Sequence, residues 1–343
     1  MSEKRTEIGS LGEFGLIDHL LKKASAKNTK TIHGPGDDAA VISNGEGNLI
    51  VSSDMLTEGI HFDLSYTPLM HLGYKAVAVN VSDIAAMNGT PRHILINLGV
   101  SNRFSVEALE VFYSGVYAAC EDYNIDVIGG DTTSSASGLI ISITVIGEVT
   151  AEQKTLRSGA KVGDILCVSG DLGGAYLGLQ VLEREKEVFK SNPEMQPKLE
   201  GYDYIIQRQL KPKARMDVVH ELRESGILPS SMIDISDGLA SEILHLSKAS
   251  QVAFRIYEEN LPIDPTSYNT ALEFKIDSAS CMLNGGEDYE LLFTIDKNDK
   301  DKIEKMDDVH MIGYVQPLSK GNELISKNQN VVPITAQGFK HFL

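Results

Sequence analysis

Short apolar runs alternate along this chain with longer stretches of helical periodicity, and the alternation predicts most of its elements. Leu11, Phe14, Ile17, Leu20 and Leu21 repeat at the spacing of an amphipathic helix over 11–23, with Ser10 placed to cap it. Ala39 to Ile42 and Leu49 to Ser53 are β-favouring, and the turn-rich Asn44-Gly-Glu-Gly47 between them predicts a hairpin. The second strand is expected to end at Ser52, Ser53 and Asp54, placing hard oxygen ligands at its exit. Residues 69–87 return to a helical pattern, dense in alanine and valine, with Asp83 inside it. A buried strand over 94–100, a long amphipathic helix over 106–123, a strand from Asp126 into a glycine turn at Asp131, and a strand over 139–149 follow. That order predicts α+β or mixed α/β layers rather than strict βαβ alternation.

Glycine and charge cluster at 157–164, which marks an expected boundary between a domain over 1–150 and one over 151–343. Beyond it come a strand at 165–169, a glycine turn at 170–174, and a helix over 175–185. The polar stretch 186–200, with Pro193 and Pro197, predicts a mobile surface loop. Helices over 202–210 and 215–225, a strand from Ser231 whose end turns acidic, a helix over 240–249 and a glycine turn into a strand across 284–293 complete the pattern.

Composition narrows the function classes. With 343 residues, 42% hydrophobic and 23% charged, the chain can bury a sizeable core. A formal net charge of −17 argues against nucleic acid or an anionic membrane as the main partner. An acidic protein that handles phosphates needs local positive charge, and divalent cations supply it. Cys120, Cys167 and Cys281 lie far apart with no CxxC spacing, so neither a zinc site nor a disulfide framework is indicated. The polar N-terminus lacks the apolar core of a signal peptide, and the longest apolar stretch, 139–149, is too short to span a bilayer. A soluble, cytoplasmic chain is expected.

The chemistry rests on aspartates at element ends: Asp37, Asp38, Asp54, Asp83, Asp131, Asp234 and Asp237. Magnesium takes one or two carboxylates plus substrate phosphates, so single aspartates converging on a nucleotide suit it, whereas no calcium-type loop is present. Each alone also fits a cap or a turn. Gly129-Gly-Asp-Thr-Thr133 offers a phosphate nest or an ordinary turn. His61 suits a substrate phosphate or packing, Arg157 a nucleotide phosphate or solvent, and Tyr113 a base or the core. Glu287, after Gly285 and Gly286, can accept from an amino-bearing ring or cap a turn. No P-loop and no protein-kinase glycine loop occurs. From the residues alone, the chain reads as a magnesium-dependent, phosphate-handling α/β protein.

Six ordered segments add a resemblance: Gly36-Asp-Asp-Ala-Ala-Val41, Ser52-Ser-Asp-Met-Leu-Thr-Glu-Gly-Ile-His-Phe62, Tyr74 to Met87, Ile128-Gly-Gly-Asp-Thr-Thr133, Ile233-Asp-Ile-Ser-Asp-Gly-Leu239 and Gly285-Gly-Glu-Asp-Tyr-Glu-Leu291. Together, and almost end to end, they resemble the thiamine-monophosphate kinases. That family shares a superfamily with aminoimidazole ribonucleotide synthetase, selenophosphate synthetase and a hydrogenase maturation factor. The resemblance implies an N-terminal PurM-like α/β domain that dimerises through its sheet, a C-terminal PurM-like α/β domain, and ATP bound between them. It implies magnesium ligands at Asp38, Ser52, Ser53, Asp54, Asp83, Asp131, Asp234 and Asp237, with Ser53 standing for a threonine. Nucleotide contacts fall on Tyr113, Gly130, Asp131, Arg157 and Ser236, and thiamine phosphate contacts on His61, Glu287 and the C-terminal aromatic Phe339. The implied reaction is ATP plus thiamine phosphate giving ADP and thiamine diphosphate, by direct Mg²⁺-assisted transfer in a homodimer, without an enzyme nucleophile. Two alternatives stand beside it. A synthetase of the selenophosphate or aminoimidazole ribonucleotide kind is one, although a selenophosphate synthetase wants a cysteine before Asp37 and none is there. A non-catalytic nucleotide or metal sensor is the other, and His61 with Glu287 argues for an acceptor side instead.

Overall fold

The structure is a computed structural model, and it describes residues 12–22 and 26–336. Its first half opens with helix α1 (Gly12–Leu21) and builds a six-stranded sheet from β1 (Thr31–His33), β2 (Ala40–Ser43), β3 (Asn48–Thr57), β4 (Thr90–Val100), β5 (Asp126–Ser134) and β6 (Leu139–Val149). The spatial order is β1-β2-β3-β6-β4-β5. Helices α2 (Leu69–Ala86) and α3 (Val106–Tyr123) belong to the same half. Strand β6 alternates strictly between buried positions and more accessible ones, with Leu139, Ile141, Ile143 and Val145 inward. The hairpin forms as its sequence predicts: Asn44 Oδ1 accepts from the backbone N–H of Glu46 at 3.1 Å and of Gly47 at 2.7 Å, and β2 and β3 pair antiparallel.

Three elements run further than their sequence suggests. Strand β3 does not stop at Asp54; it pairs with β6 residue by residue from Asn48 to Thr57. Backbone pairing tolerates the polar run because Ile50, Ser52, Asp54 and Leu56 share one face of the strand, and the apolar two of them are buried. Strand β2 reaches only to the Ala40–Val51 pair, so from Ser52 onward β3 is paired on the β6 side alone. Strand β5 likewise runs through Gly129-Gly130-Asp131 instead of turning there, with a register shift against β4 at that point. Gly130 is needed for this approach, since a Cβ on it would meet the Ile96 carbonyl oxygen at 1.7 Å.

The second half forms a seven-stranded sheet from β7 (Ile165–Ser169), β8 (Ser231–Asp234), β9 (Ala253–Tyr257), β10 (Leu291–Ile295), β11 (Val309–Gln316), β12 (Glu323–Ile325) and β13 (Val331–Pro333). Their order is β13-β12-β9-β11-β7-β10-β8. Helices α4 (Gly174–Ser191), α5 (Asp203–Leu210), α6 (Met216–Glu224), α7 (Leu239–Ser250), α8 (Pro265–Phe274), α9 (Ser278–Asn284) and the short α10 (Lys300–Ile303) complete it. Here α4 is the third extension: the expected loop from 186 is helical to Ser191. Lys186–Glu183 and Lys190–Glu187 ion pairs one turn apart support that extra stretch, and Pro193 follows its end.

Helix α2 is the joint of the molecule. Fourteen of its 18 residues are buried, which accounts for its alanine- and valine-rich all-round pattern. It packs on the first sheet and reaches β8, α5 and α6, and one apolar core runs from Val77 and Ile84 to Met216, Met232 and Phe293. Its crossing with α3 is a near-backbone contact. A Cβ on Gly73 would lie 2.0 Å from the Phe112 carbonyl oxygen, and one on Gly115 would lie 1.8 Å from that of Met70. Each helix therefore needs a glycine where it touches the other.

Candidate active site

Carboxylates from three segments converge where α2, β3 and β8 meet. Asp38 precedes β2, Asp83 sits in the last turn of α2, and Asp234 ends β8. One carboxylate oxygen from each lies within 4.8 Å of the other two. Two hydroxyls hold them: Ser52 Oγ donates to Asp83 Oδ2 at 2.5 Å, and Ser82 Oγ donates to Asp234 Oδ2 at 2.6 Å. The Asp54 backbone N–H donates to Asn80 Oδ1 at 3.0 Å, which ties β3 to α2 at the same level. The nearest positive charge is Arg157, whose Nη2 donates to Asp38 Oδ1 at 2.5 Å while its backbone N–H donates to both oxygens of Asp37.

One guanidinium does not balance this many buried acids. Burial, reinforced by neighbouring carboxylates, pushes Asp54 up to about 6 and Asp234 up to about 7. Asp83 is driven well above the carboxylate range by burial and then by Asp54, Asp234 and Asp38. Burial raises Asp37 to about 7, helped by Asp38. Burial also raises Asp38, and Arg157 offsets part of that. Asp38 Oδ2 is buried without a hydrogen-bond partner. Hard oxygen donors, an excess of negative charge and an orphaned carboxylate oxygen suit a divalent cation of the Mg²⁺ type.

A cavity of about 1390 Å³ opens beside this cluster. Asp54, Asp234, Ser236 and Asp237 line it, as do His61, Lys75, Gln209, Glu287 and Tyr289, with Phe14 and Ile17 of α1 along one wall. His61 Nδ1 accepts from the Thr57 N–H at 3.0 Å, which orients the ring. Glu287 and Tyr289 both have positive φ, 64° and 52°, and the Glu287 N–H donates to the Ser236 carbonyl at 2.7 Å. That winding sends residues 287 and 289 to the cavity and residues 288 and 290 to a separate buried network.

The other expected site residues stand at different distances from the three carboxylates. Ser53 lines the cavity, but strand alternation turns its hydroxyl away from Asp83; it donates to the Ile143 carbonyl at 3.1 Å and meets Thr144 Oγ1 at 3.0 Å. Arg157 engages Asp37 and Asp38. Asp237 is set by its own N–H donating to Glu242 Oε1 at 2.9 Å, and it lies outside the three-carboxylate group. Gly130 and Asp131 are on β5; Asp54 is opposite Ile143, Ile143 opposite Ile96 and Ile96 opposite Gly130, so Asp131 is roughly 14 Å from Asp54 within one chain. Tyr113 packs on Phe112 and Tyr117 in the α3 layer. Phe339 lies outside the described residues. The expected site residues do not include Lys75, Gln209 or Glu242, all of them buried here. For Lys75 a signal existed: a charge amid the apolar interior of a helix.

Comparison with known proteins agrees with this geometry. The family model described as "AIR synthase related protein, N-terminal domain" matches residues 36–149. The thiamine-monophosphate kinase of Bacillus subtilis (strain 168) is 34% identical over 339 residues, covering 97% of this chain and 100% of that protein. That of Aquifex aeolicus (strain VF5) is 37% identical over 336 residues, covering 98% and 99%. A solved structure described as AaThiL complexed with AMPPCP and TMP superposes with a TM-score of 0.83 at 35% identity, covering 99% of this chain and 100% of that one. Among the described residues, no helix is long and apolar enough to cross a membrane. With relatives at this identity over nearly its whole length, the chain belongs to the thiamine-monophosphate kinase family.

Proposed function

We propose that this protein transfers the γ-phosphoryl group of ATP to thiamine phosphate, releasing ADP and thiamine diphosphate. An oxygen of the acceptor phosphate forms the new bond to the γ-phosphorus as the bond to the ADP oxygen breaks. The observation that carries this reading is the convergence of Asp38, Asp83 and Asp234 within 4.8 Å beside a large cavity, with Asp54 and Asp234 on its wall. Mg²⁺ bound there would neutralise the two anions that must meet in line. Asp38, Asp54, Asp83 and Asp234, with Asp237 at the rim, are the residues to hold it. Ser52 and Ser82 keep the carboxylates aimed, and β3 has no strand partner on its β2 side from Ser52 onward. On this reading Arg157 and Ser236 serve the nucleotide, and His61 and Glu287 serve the acceptor. An acceptor phosphate oxygen is already nucleophilic at neutral pH, so these residues position and screen rather than abstract a proton.

The same reading takes the chain as a homodimer, working in the cytoplasm, with an N-terminal domain over 1–150 and a C-terminal domain over 151–343. All nine residues of β5 are exposed at the sheet edge, Val127 and Ile128 among them, which is an edge that wants covering. Gly130, Asp131 and Tyr113 then act from the dimer side of the sheet. Incubation with ATP and Mg²⁺ tests the function: thiamine phosphate should yield stoichiometric ADP and thiamine diphosphate, and thiamine should be a poor acceptor. No turnover, or equal turnover of the two acceptors, defeats the reading.

A further inference from the structure

Lys75 is the one lysine among the buried polar residues described, 2% exposed on an otherwise apolar stretch of α2. Its Nζ donates to Glu287 Oε1 at 2.9 Å and to the Gln209 carbonyl at 3.1 Å. An ammonium has three N–H donors, and these two contacts use two of them. The Gln209 side chain, 5% exposed, donates from Nε2 to Glu287 Oε2 at 2.7 Å. That bond fixes which end of the amide is oxygen, because a carboxylate only accepts. Gln209 Oε1 is then a buried acceptor without a hydrogen-bond partner, in a residue that lines the cavity. A buried orphaned acceptor is costly unless a ligand supplies its donor.

The position along α2 gives the scale. Lys75 and Asp83 are eight residues apart, about 12 Å along the helix axis, and both belong to the side of α2 turned to the second half of the molecule. An extended thiamine phosphate with its phosphate at the carboxylates brings its pyrimidine into this range. The edge of that ring presents an exocyclic amino donor beside a ring-nitrogen acceptor. Gln209 Oε1 and the third Lys75 N–H are the complementary pair.

We propose, resting on the kinase reading, that Lys75 and Gln209 determine acceptor specificity by reading the aminopyrimidine edge, with Glu287 holding both in register. The positive φ of Glu287 fits this role, since strained backbone persists where the surroundings over-determine it for function. A plain clamp between α2, α5 and the 285–289 segment is the competing explanation, and the two separate on substrate preference.

The experiment compares kcat/KM for thiamine phosphate with that for the phosphate ester of the thiazole alcohol, which lacks the pyrimidine. Wild type should prefer thiamine phosphate. Lys75→Met and Gln209→Met should each reduce that ratio by about tenfold to a hundredfold, the range of one lost charged or buried hydrogen bond, with the loss in KM for thiamine phosphate. A parallel fall on both acceptors would identify a clamp and overturn the proposal. Should a variant not fold, wild type decides alone: thiamine phosphate carrying a 4′-carbonyl oxygen in place of the amino group should lose at least about tenfold in kcat/KM, and equal use overturns the proposal. Wild-type turnover of neither acceptor overturns the kinase reading itself, a result distinct from either.

Discussion

Two groups of buried carboxylates occupy this fold, and they differ in what faces them. Glu290 is buried, yet its pKa is lowered: burial pushes it up, and Arg208 and Arg215 pull it further down. Arg208 Nη1 donates to its Oε1 at 2.5 Å, Arg215 reaches Oε2, and Ser169 Oγ donates to Oε2 at 2.6 Å. The neighbouring Asp288 accepts from the N–H groups of Gly173 and Ala175 at the start of α4, although burial still raises it to about 7. Around Asp38, Asp83 and Asp234 the chain supplies one guanidinium and two hydroxyls, and Asp83 is driven far up. The first group is completed by the chain itself and works as a staple. The second is short of positive charge, and without a bound cation its carboxylates hold their protons instead, so two buried acidic groups of one fold differ in whether the chain completes them.

The same charge-neutral, size-conserving substitution made in each group should have opposite consequences. Asp83→Asn should lower kcat/KM by about a thousandfold, a loss on the scale of removing a preorganised electrostatic contact, without destabilising the metal-free protein, because burial and its acidic neighbours already favour the neutral carboxyl there and asparagine is a neutral replacement of the same size. ADP release and urea unfolding in chelator measure the two effects; a clearly destabilised Asp83→Asn would make the cluster a second staple. Glu290→Gln should do the reverse, costing about 3 kcal/mol in urea unfolding because two guanidinium groups lose their counter-charge. Its folded fraction should keep most of its turnover, and an unchanged unfolding midpoint would remove the staple.

A smaller effect is pH dependence. The folded-state values of Asp54, about 6, and Asp234, about 7, lie above the unfolded value near 3.9, so the folded protein holds these protons more tightly. Their contribution to stability is complete below about pH 4 and is lost as pH rises through 6 to 7. Metal-free stability should therefore fall by on the order of 5 kcal/mol between pH 4.5 and 7.5, about 2 from Asp54 and about 3 from Asp234. Mg²⁺ binds the deprotonated form, so saturating Mg²⁺ should flatten or reverse the slope. Melting temperatures across this range, with chelator and with Mg²⁺, check both; a metal-free slope of opposite sign would show that other groups dominate.

Much of the fold was legible because burial writes itself into patterning. The alternation over 139–149 is β6, the alanine-rich interior of 69–86 is α2, and the Asn44–Gly47 turn forms as read. What escaped notice was decided by neighbours distant in sequence. Strand β3 continues past Asp54 because β6 pairs with it, and β5 continues through two glycines because β4 does. The acidic half of the site was legible residue by residue, since Asp38, Asp83 and Asp234 each adjoin small or apolar residues at an element end. Its balance of charge was not, because Arg157 is assigned to Asp38 only by folding. The same holds for Lys75 with Glu287, and for Arg208 and Arg215 with Glu290.

The two reciprocal glycines at the α2–α3 crossing carry a consequence for chemistry they never touch. With Gly73 against Phe112 and Gly115 against Met70, the helices interlock at backbone level, and neither can slide or roll without a collision. Everything borne on α2 is thereby held at constant spacing, Lys75 at one station and Asp83 two turns further on. A helix pinned in this way is a caliper. On the proposed reading it is set to a molecule that carries one phosphate beyond its rings, and its jaws would not widen for a product that carries two.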